Sequence, residues 1–360
     1  MNLSGELRQM YWALQQHGQA VKRQDGVGLL RQLAEIALLR LGPGKLIPWD
    51  YYRMRVYRPD LPLRSKRTYV SNSALAAREA EWGVIADDKL MCYLLLATHG
   101  IRVPEVQAIA HKVRVHLDRP ALRDAQQVAG WLAQARYPLI SKPITGMFSK
   151  GFAHLEAYDP ATSTLRLADG SQTPLQAFSE RCLAWRHGVL FQELLVSHPR
   201  IAAEYGPRLS TLRLIVILEE GGPRLFRALW KIVGAGNMAD NYWRPGNVLA
   251  RLDPRTGEVE RCTTGLGPQM RVVDRHPDTG RLFKGFRVPC YREAVALTLD
   301  AARVFAGLNM QAWDIAVTPD GPMPLEVNDI GSLFLPQMAD QRGLFEADEF
   351  RAFMRRVLPA

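Results

Sequence analysis

The segment Trp313-Asp314-Ile315-Ala316-Val317-Thr318-Pro319-Asp320-Gly321-Pro322-Met323-Pro324-Leu325-Glu326-Val327-Asn328 constrains this chain more than any other. Its two largely apolar runs flank Pro-Asp-Gly-Pro, where proline fixes one φ and glycine accepts a conformation that L side chains avoid. The segment therefore reads as a β-hairpin. Side chains alternate between faces along a strand, so Glu326 and Asn328 share a face, with Asp314 on the partner strand. Three hard oxygen donors on neighbouring strands suit Mg²⁺ held against nucleotide phosphates.

A chain of 360 residues with 47% hydrophobic composition has material for a large core and for two or three domains. Apolar runs such as Leu90 to Ala97 fall far short of the roughly 20 residues that cross a bilayer. The N-terminal residues are polar, without the apolar core of a signal peptide. The expectation is a cytoplasmic protein with no membrane insertion. Cys92, Cys182, Cys262 and Cys290 are scattered, which argues against a zinc site or a disulfide framework.

The net charge of +10 favours an anionic partner, because a positive field concentrates negative ligands. Basic residues are densest in residues 51–69, where Arg53, Arg55, Arg58, Arg64, Lys66 and Arg67 are interleaved with Tyr51, Tyr52, Tyr57 and Tyr69. Such a segment can grip phosphates and stack on bases or sugars, or it can be a solvated loop that aids solubility. Both readings stand at this level.

Helical spacing of Leu29, Leu30, Leu33, Ile36, Ala37 and Leu39 predicts amphipathic helices within residues 3–41, ended by Gly42-Pro43-Gly44. The stretch from about 45 to 70 reads as an irregular connection. Asp87-Asp88-Lys89 predicts a helix start, with Gly100 as its C-cap. Strands are expected at 137–143, 151–158, 164–168, 189–196, 211–219 and 223–233, and a helix at 291–308. Gly221-Gly222 reads as a hairpin turn, and Asp253-Pro254-Arg255-Thr256-Gly257 as another turn. The mixture predicts an α+β fold with antiparallel sheet. Three regions are expected: residues 1–80, helical and basic; residues 81–190, a first lobe; and residues 191–360, a second.

Lys142 follows the apolar strand Tyr137-Pro138-Leu139-Ile140-Ser141 and precedes a glycine-containing loop, a pattern that can hold phosphate oxygens. There is no G-x-x-x-x-G-K-[ST], so the P-loop is excluded. Gln192, Glu193 and Leu194 end an apolar run and can present backbone groups to an adenine edge, or simply close a strand. Arg213 and Lys231 lie within strongly apolar strands, where a charge needs a phosphate or carboxylate partner unless it sits at an exposed strand end. No nucleophile context of the G-x-S-x-G kind occurs.

The order of these pieces resembles the ATP-grasp superfamily, in particular its sugar-transfer-associated branch, related to α-L-glutamate ligases. Asp88-Lys89 with Gly100-Ile101 and Val103-Pro104 is similar to the first lysine helix, and Leu139-Ile140-Ser141-Lys142-Pro143 to the second lysine strand. Thr145 to Gly151, including Ser149, resembles the loop over the phosphates, and Gln192-Glu193-Leu194 the adenine hinge. His198-Pro199, Ser210-Thr211-Leu212-Arg213, Ala239-Asp240-Asn241, His276-Pro277-Asp278-Thr279-Gly280 and Trp313-Asp314-Ile315 carry the branch-level likeness. The usual glycine between the metal-binding Glu and Asn is Val327 here, and the ribose ligand has only Glu204 as a candidate.

The resemblance implies two α+β lobes clamping ATP, with Mg²⁺, two ions in all, on Asp314, Glu326 and Asn328. It implies that Lys89, Lys142, Ser149, Gln192, Glu193 and Leu194 bind the nucleotide and that Arg213 and Lys231 are catalytic. The implied activity is an ATP-dependent carboxylate-amine ligase working through an acyl-phosphate. It would join a small-molecule or glycan-linked carboxylic acid to an amino acid, peptide or amino sugar. A kinase-like phosphotransferase and a non-catalytic binding module for an anionic glycan or RNA are the alternatives. Replacing Asp314 or Glu326 by alanine is expected to abolish ATP turnover and leave the fold intact.

Overall fold

The computed structural model describes residues 11–75, 80–116, 118–146, 150–329 and 332–357. Two seven-stranded sheets organise it. The first is built from β1 (Val106–Ala110), β2 (Ala121–Leu122), β3 (Leu139–Pro143), β4 (Ala153–Asp159), β5 (Thr164–Leu167), β6 (Gln172–Pro174) and β7 (Val189–Glu193). Its spatial order is β2-β1-β7-β3-β4-β5-β6. Helices Ala125–Leu132 and Leu175–Ala184 cover one face through Val128, Leu132, Phe178 and Cys182.

The second sheet contains β8 (Thr211–Glu219), β9 (Gly222–Ile232), β10 (Val248–Leu252), β11 (Val259–Thr264), β12 (Arg271–Val272), β13 (Met310–Thr318) and β14 (Gly321–Asn328). Its order is β12-β11-β10-β9-β8-β13-β14. Period-two alternation divides its residues sharply. Leu212, Leu214, Trp230, Ile232, Trp313 and Ile315 enter one core with Ala294, Ala301 and Ala302 of helix Tyr291–Val304. Arg213, Lys231 and Asp314 lie on the opposite face, continuous with Leu229 and Leu249, which belong to a different core.

Helix Lys89–Thr98 ties the sheets together. Asp88 caps it by accepting hydrogen bonds from the Leu90 and Met91 amides, satisfying donors that a helix start leaves free. Its Leu90 and Tyr93 pack with Val106, Ile109 and Leu190 of the first sheet. Its Cys92 and Leu96 join the core of the second.

The region before residue 76 departs from both sequence readings. Residues 45–70 hold two short helices, Pro48–Arg53 and Leu63–Lys66, rather than an irregular connection. Tyr51, Tyr52, Tyr57 and Tyr69 are at most 1% exposed, so none of them is a stacking platform. They form a core with Leu229, Leu249, Phe334 and Leu335. Lys66 is likewise buried and pairs with Glu35 at 2.6 Å. A tyrosine-rich basic segment looks like a surface in one dimension because its apolar partners lie far away in sequence.

β10 and β11 pair as a hairpin around the expected Asp253–Gly257 turn. The sequence marks only that turn, since a run as short as Val248–Leu252 holds too few alternations to stand out. Among the described residues no helix is long and apolar enough to cross a membrane.

Candidate active site

The hairpin delivers its carboxylates as neighbours: Asp314 of β13 stands directly across from Glu326 of β14, and Ala312 across from Asn328. On the other side of β13, Asp314 stands across from Arg213 of β8. Asp314, Glu326, Asn328 and Arg213 line a cavity of about 670 Å³ between the two sheets, together with Lys89, Lys142 and Lys231.

The floor of this cavity is a buried charge network. Arg213 donates from Nε and Nη2 to the two oxygens of Asp314, at 2.5 and 2.9 Å. Lys231 donates to Asp314 Oδ2 at 2.9 Å and to Asp240 at 3.2 Å. Thr211 donates a very short hydrogen bond to Asp240. Burial alone would raise the Asp314 carboxyl, but Arg213 and Lys231 outweigh it and hold it well below the usual carboxylate range. Burial raises Asp240, against the opposing pull of Lys231. The sequence singles out Arg213 and Lys231 as charges in need of a partner, and Asp314 is that partner. It follows that Asp314→Ala would strip two buried cations of their counterion, contrary to the expectation of an intact fold.

The roof carries the lysines. Lys89 donates to the Gly146 carbonyl at 3.3 Å and lies 3.5 Å from Glu326. Lys142 donates to the Tyr93 hydroxyl at 2.9 Å and, among the described residues, forms no ion pair. Burial, with the nearby positive charge of Lys89, pulls the Lys142 ammonium down to about 7. Tyr93 donates in turn to the Leu325 carbonyl at 3.0 Å, with Gln192 Oε1 3.3 Å away. Tyr93 therefore joins Lys142 to β7 and β14, a role with no sequence signal beyond its place one helical turn after Lys89.

Of the expected hinge residues, Gln192 and Leu194 line the cavity, and Glu193 does not. Glu193 exchanges hydrogen bonds with the backbone of Glu105, its carboxylate accepting from that amide at 2.9 Å. Glu204 is also elsewhere: on helix Pro199–Tyr205 it pairs with Arg200 of the same helix and with the distant Arg281, away from this cavity. His154 and Glu156 of β4 do line it, although neither carries a motif in the sequence: His154 has no metal spacing and no neighbouring nucleophile, which reads as a surface or packing histidine. Ser149 lies outside the described residues.

Two features fit a polyphosphate. Arg213 Nη1 is buried without a hydrogen-bond partner, and Lys142 has only a neutral one; buried donors of this kind call for an anion. The metal donors fit less completely by themselves. Among the described residues no three His, Cys, Asp or Glu side chains gather as a metal cluster. Glu326 and Asn328 reach the cavity, while both oxygens of Asp314 already accept from cations. This sparse oxygen set matches the habit of Mg²⁺, which takes one or two carboxylates and completes its shell from phosphates and water.

The chain matches the family described as sugar-transfer associated ATP-grasp over residues 77–351. Among solved structures it is similar to the VanG D-Ala:D-Ser ligase of Enterococcus faecalis, at 12% identity and a TM-score of 0.44. That match covers 76% of this chain and 61% of that one. It is similar to the D-alanine–D-alanine ligase of Bacillus anthracis, complexed with ATP, at 14% identity and a TM-score of 0.41, over 76% and 68% of the two chains. Biotin carboxylase of Campylobacter jejuni matches at 12% identity and a TM-score of 0.43, over 77% and 48%. The chain thus spans less than two thirds of the VanG ligase and of the carboxylase. No curated protein matches it.

Proposed function

The chain belongs to the sugar-transfer associated ATP-grasp family, and from that premise we propose that it is an ATP-dependent carboxylate-amine ligase. The observation that supports this most directly is that cationic donors lacking an anionic partner share one cavity with oxygen ligands: Arg213 Nη1 and Lys142 are the donors, and Glu326 and Asn328 carry the oxygens. That combination suits a nucleotide triphosphate and a substrate carboxylate meeting at one point. The lobes that hold them correspond in this proposal to residues 81–190 and 191–360.

ATP enters with its base between Gln192, Leu194 and β4, and its phosphates under Lys89 and Lys142. Asp314, Glu326 and Asn328 would hold Mg²⁺, which when bound neutralises charge on the β- and γ-phosphates. Arg213 presents Nη1 to the substrate carboxylate while Asp314 fixes the guanidinium in plane, so the carboxylate oxygen is held close to the γ-phosphorus. That oxygen forms the new P–O bond as the bond to the β–γ bridging oxygen breaks, leaving ADP and an acyl-phosphate. An amine then adds to the acyl carbon, the C–O bond to phosphate breaks, and the amine proton leaves with hydrogenphosphate. Arg213 and Lys231 stabilise negative charge in both steps because they are already oriented and need little reorganisation.

The test is product analysis by mass spectrometry after incubation with ATP, Mg²⁺ and panels of acids and amines. The expected result is ADP, phosphate and a condensed amide in equal amounts. A stable phosphorylated acid or alcohol, with no condensed product in the presence of any amine, would overturn the ligase assignment.

A further inference from the structure

We propose that the helical region ahead of the family match supplies the specificity wall of this site, and that Arg53 takes a second carboxylate of the substrate. The assignment rests on the ligase reading for its reacting end only. The family match begins at residue 77, yet Ile47, Asp50, Arg53 and Asn72 line the same cavity as Lys142 and Arg213.

The direction of this wall follows from strand register. Glu326 stands across from Asp314, Asp314 from Arg213, Arg213 from Leu229, and Lys231 from Leu249. The charged floor thus runs across β14, β13, β8 and β9, and the same face continues into Leu229 and Leu249. The helix Pro48–Arg53 is seated there, its Tyr51 and Tyr52 in one core with those two leucines. Lys89 contacts Glu326 at the opposite end of the row. A substrate whose reacting carboxylate meets Arg213 has the phosphates and lysines on one side and Arg53 on the other.

Arg53 is built to receive a planar anion. Its guanidinium lies 3.6 Å over the Phe334 ring, and Asp50 pairs with it. Asp50 is itself buried and fixed by the Ser71 hydroxyl. One face and one edge of the guanidinium are therefore taken, while Nε is buried without a hydrogen-bond partner. The side chain keeps 17% of its surface open. A carboxylate matches the geometry of a guanidinium edge, whereas a lysine in this place would offer only a point charge.

Titration calorimetry with a non-hydrolysable ATP analogue present tests this, using succinate, glutarate and adipate against butyrate as probes. The wild type is expected to bind the best of the three diacids at least tenfold more tightly than butyrate. Arg53→Gln should erase that margin and Arg53→Lys should keep only part of it, with analogue affinity unchanged as the sign of an intact fold. Should Arg53→Gln fail to fold, Arg53→Lys still decides, because it retains charge beside Asp50. Equal affinity of diacids and butyrate for the wild type, or a margin that survives either variant in full, overturns the proposal. Failure of the ligase reading shows separately, as ADP formed without any condensed amide in the product analysis, and leaves this binding ratio unmoved.

Discussion

Arg213 and Asp314 meet edge to edge across β8 and β13, with Nε–Oδ1 at 2.5 Å and Nη2–Oδ2 at 2.9 Å, and this leaves Nη1 as the one guanidinium nitrogen free to reach a ligand. The pair is a mount for that nitrogen. Asp314→Asn keeps the shape and removes the charge, leaving Arg213 and Lys231 competing for Asp240. It should cost about 3–5 kcal/mol of stability, the range for a buried ion pair broken on one side. Glu326 is 32% exposed and pairs with Lys89 only at 3.5 Å, so Glu326→Gln should leave the urea midpoint nearly unchanged. Both variants should lower ATP turnover about a hundredfold. Turnover preserved in Glu326→Gln would remove that residue from the metal site.

Lys142, pulled down to about 7 by burial and by Lys89, should regain its proton when phosphate arrives. Binding of an ATP analogue at pH 8 is then accompanied by uptake of close to one proton, seen as a dependence of calorimetric heat on buffer ionisation enthalpy. Lys142→Arg, which stays charged throughout, should abolish that dependence. Without nucleotide the sign is fixed by linkage: the unfolded lysine binds its proton up to about 10.5 and the folded one only up to about 7. The penalty for burying the ammonium is therefore complete below pH 7 and is relieved as pH rises from 7 toward 10.5. Lys142→Met should raise the melting temperature most at low pH.

Tyr93→Phe deletes the hydroxyl that accepts from Lys142 and donates to the Leu325 carbonyl. Two buried groups lose a partner at once, which should cost about 1–3 kcal/mol. If the hydroxyl orients Lys142 for phosphate, KM for ATP rises roughly tenfold with kcat less affected. A variant that loses stability but keeps KM would show that Tyr93 only packs.

Lys66 and Glu35 make a buried pair within the N-terminal core at 2.6 Å, and Glu35 also accepts from Tyr51 and from Arg31. Burial would raise the Glu35 carboxyl, but these donors, Lys66 first, hold it below its ordinary value. Its contribution to stability is thus present above about pH 4.5 and is lost as pH falls through the lower folded value. Lys66→Met should cost about 3 kcal/mol near neutrality, the low end for a broken buried pair because Arg31 remains. It should also flatten the acid limb of the melting profile.

The sequence alone determined what local physics controls. Pro-Asp-Gly-Pro bends the chain at one place whatever surrounds it, and alternation then sets Glu326 and Asn328 to one side. Asp88 caps the helix that carries Lys89, and apolar context around Arg213 and Lys231 demands a counterion for each. Only the tertiary structure decided which counterion that is, because Arg213 and Asp314 are about a hundred residues apart, and strand order, not sequence distance, makes them neighbours. The same limit hid the tyrosines of residues 51–69. Their burial depends on Leu229, Leu249 and Phe334, contributed by distant parts of the chain, and no periodicity within one segment can encode a partner that lies outside it.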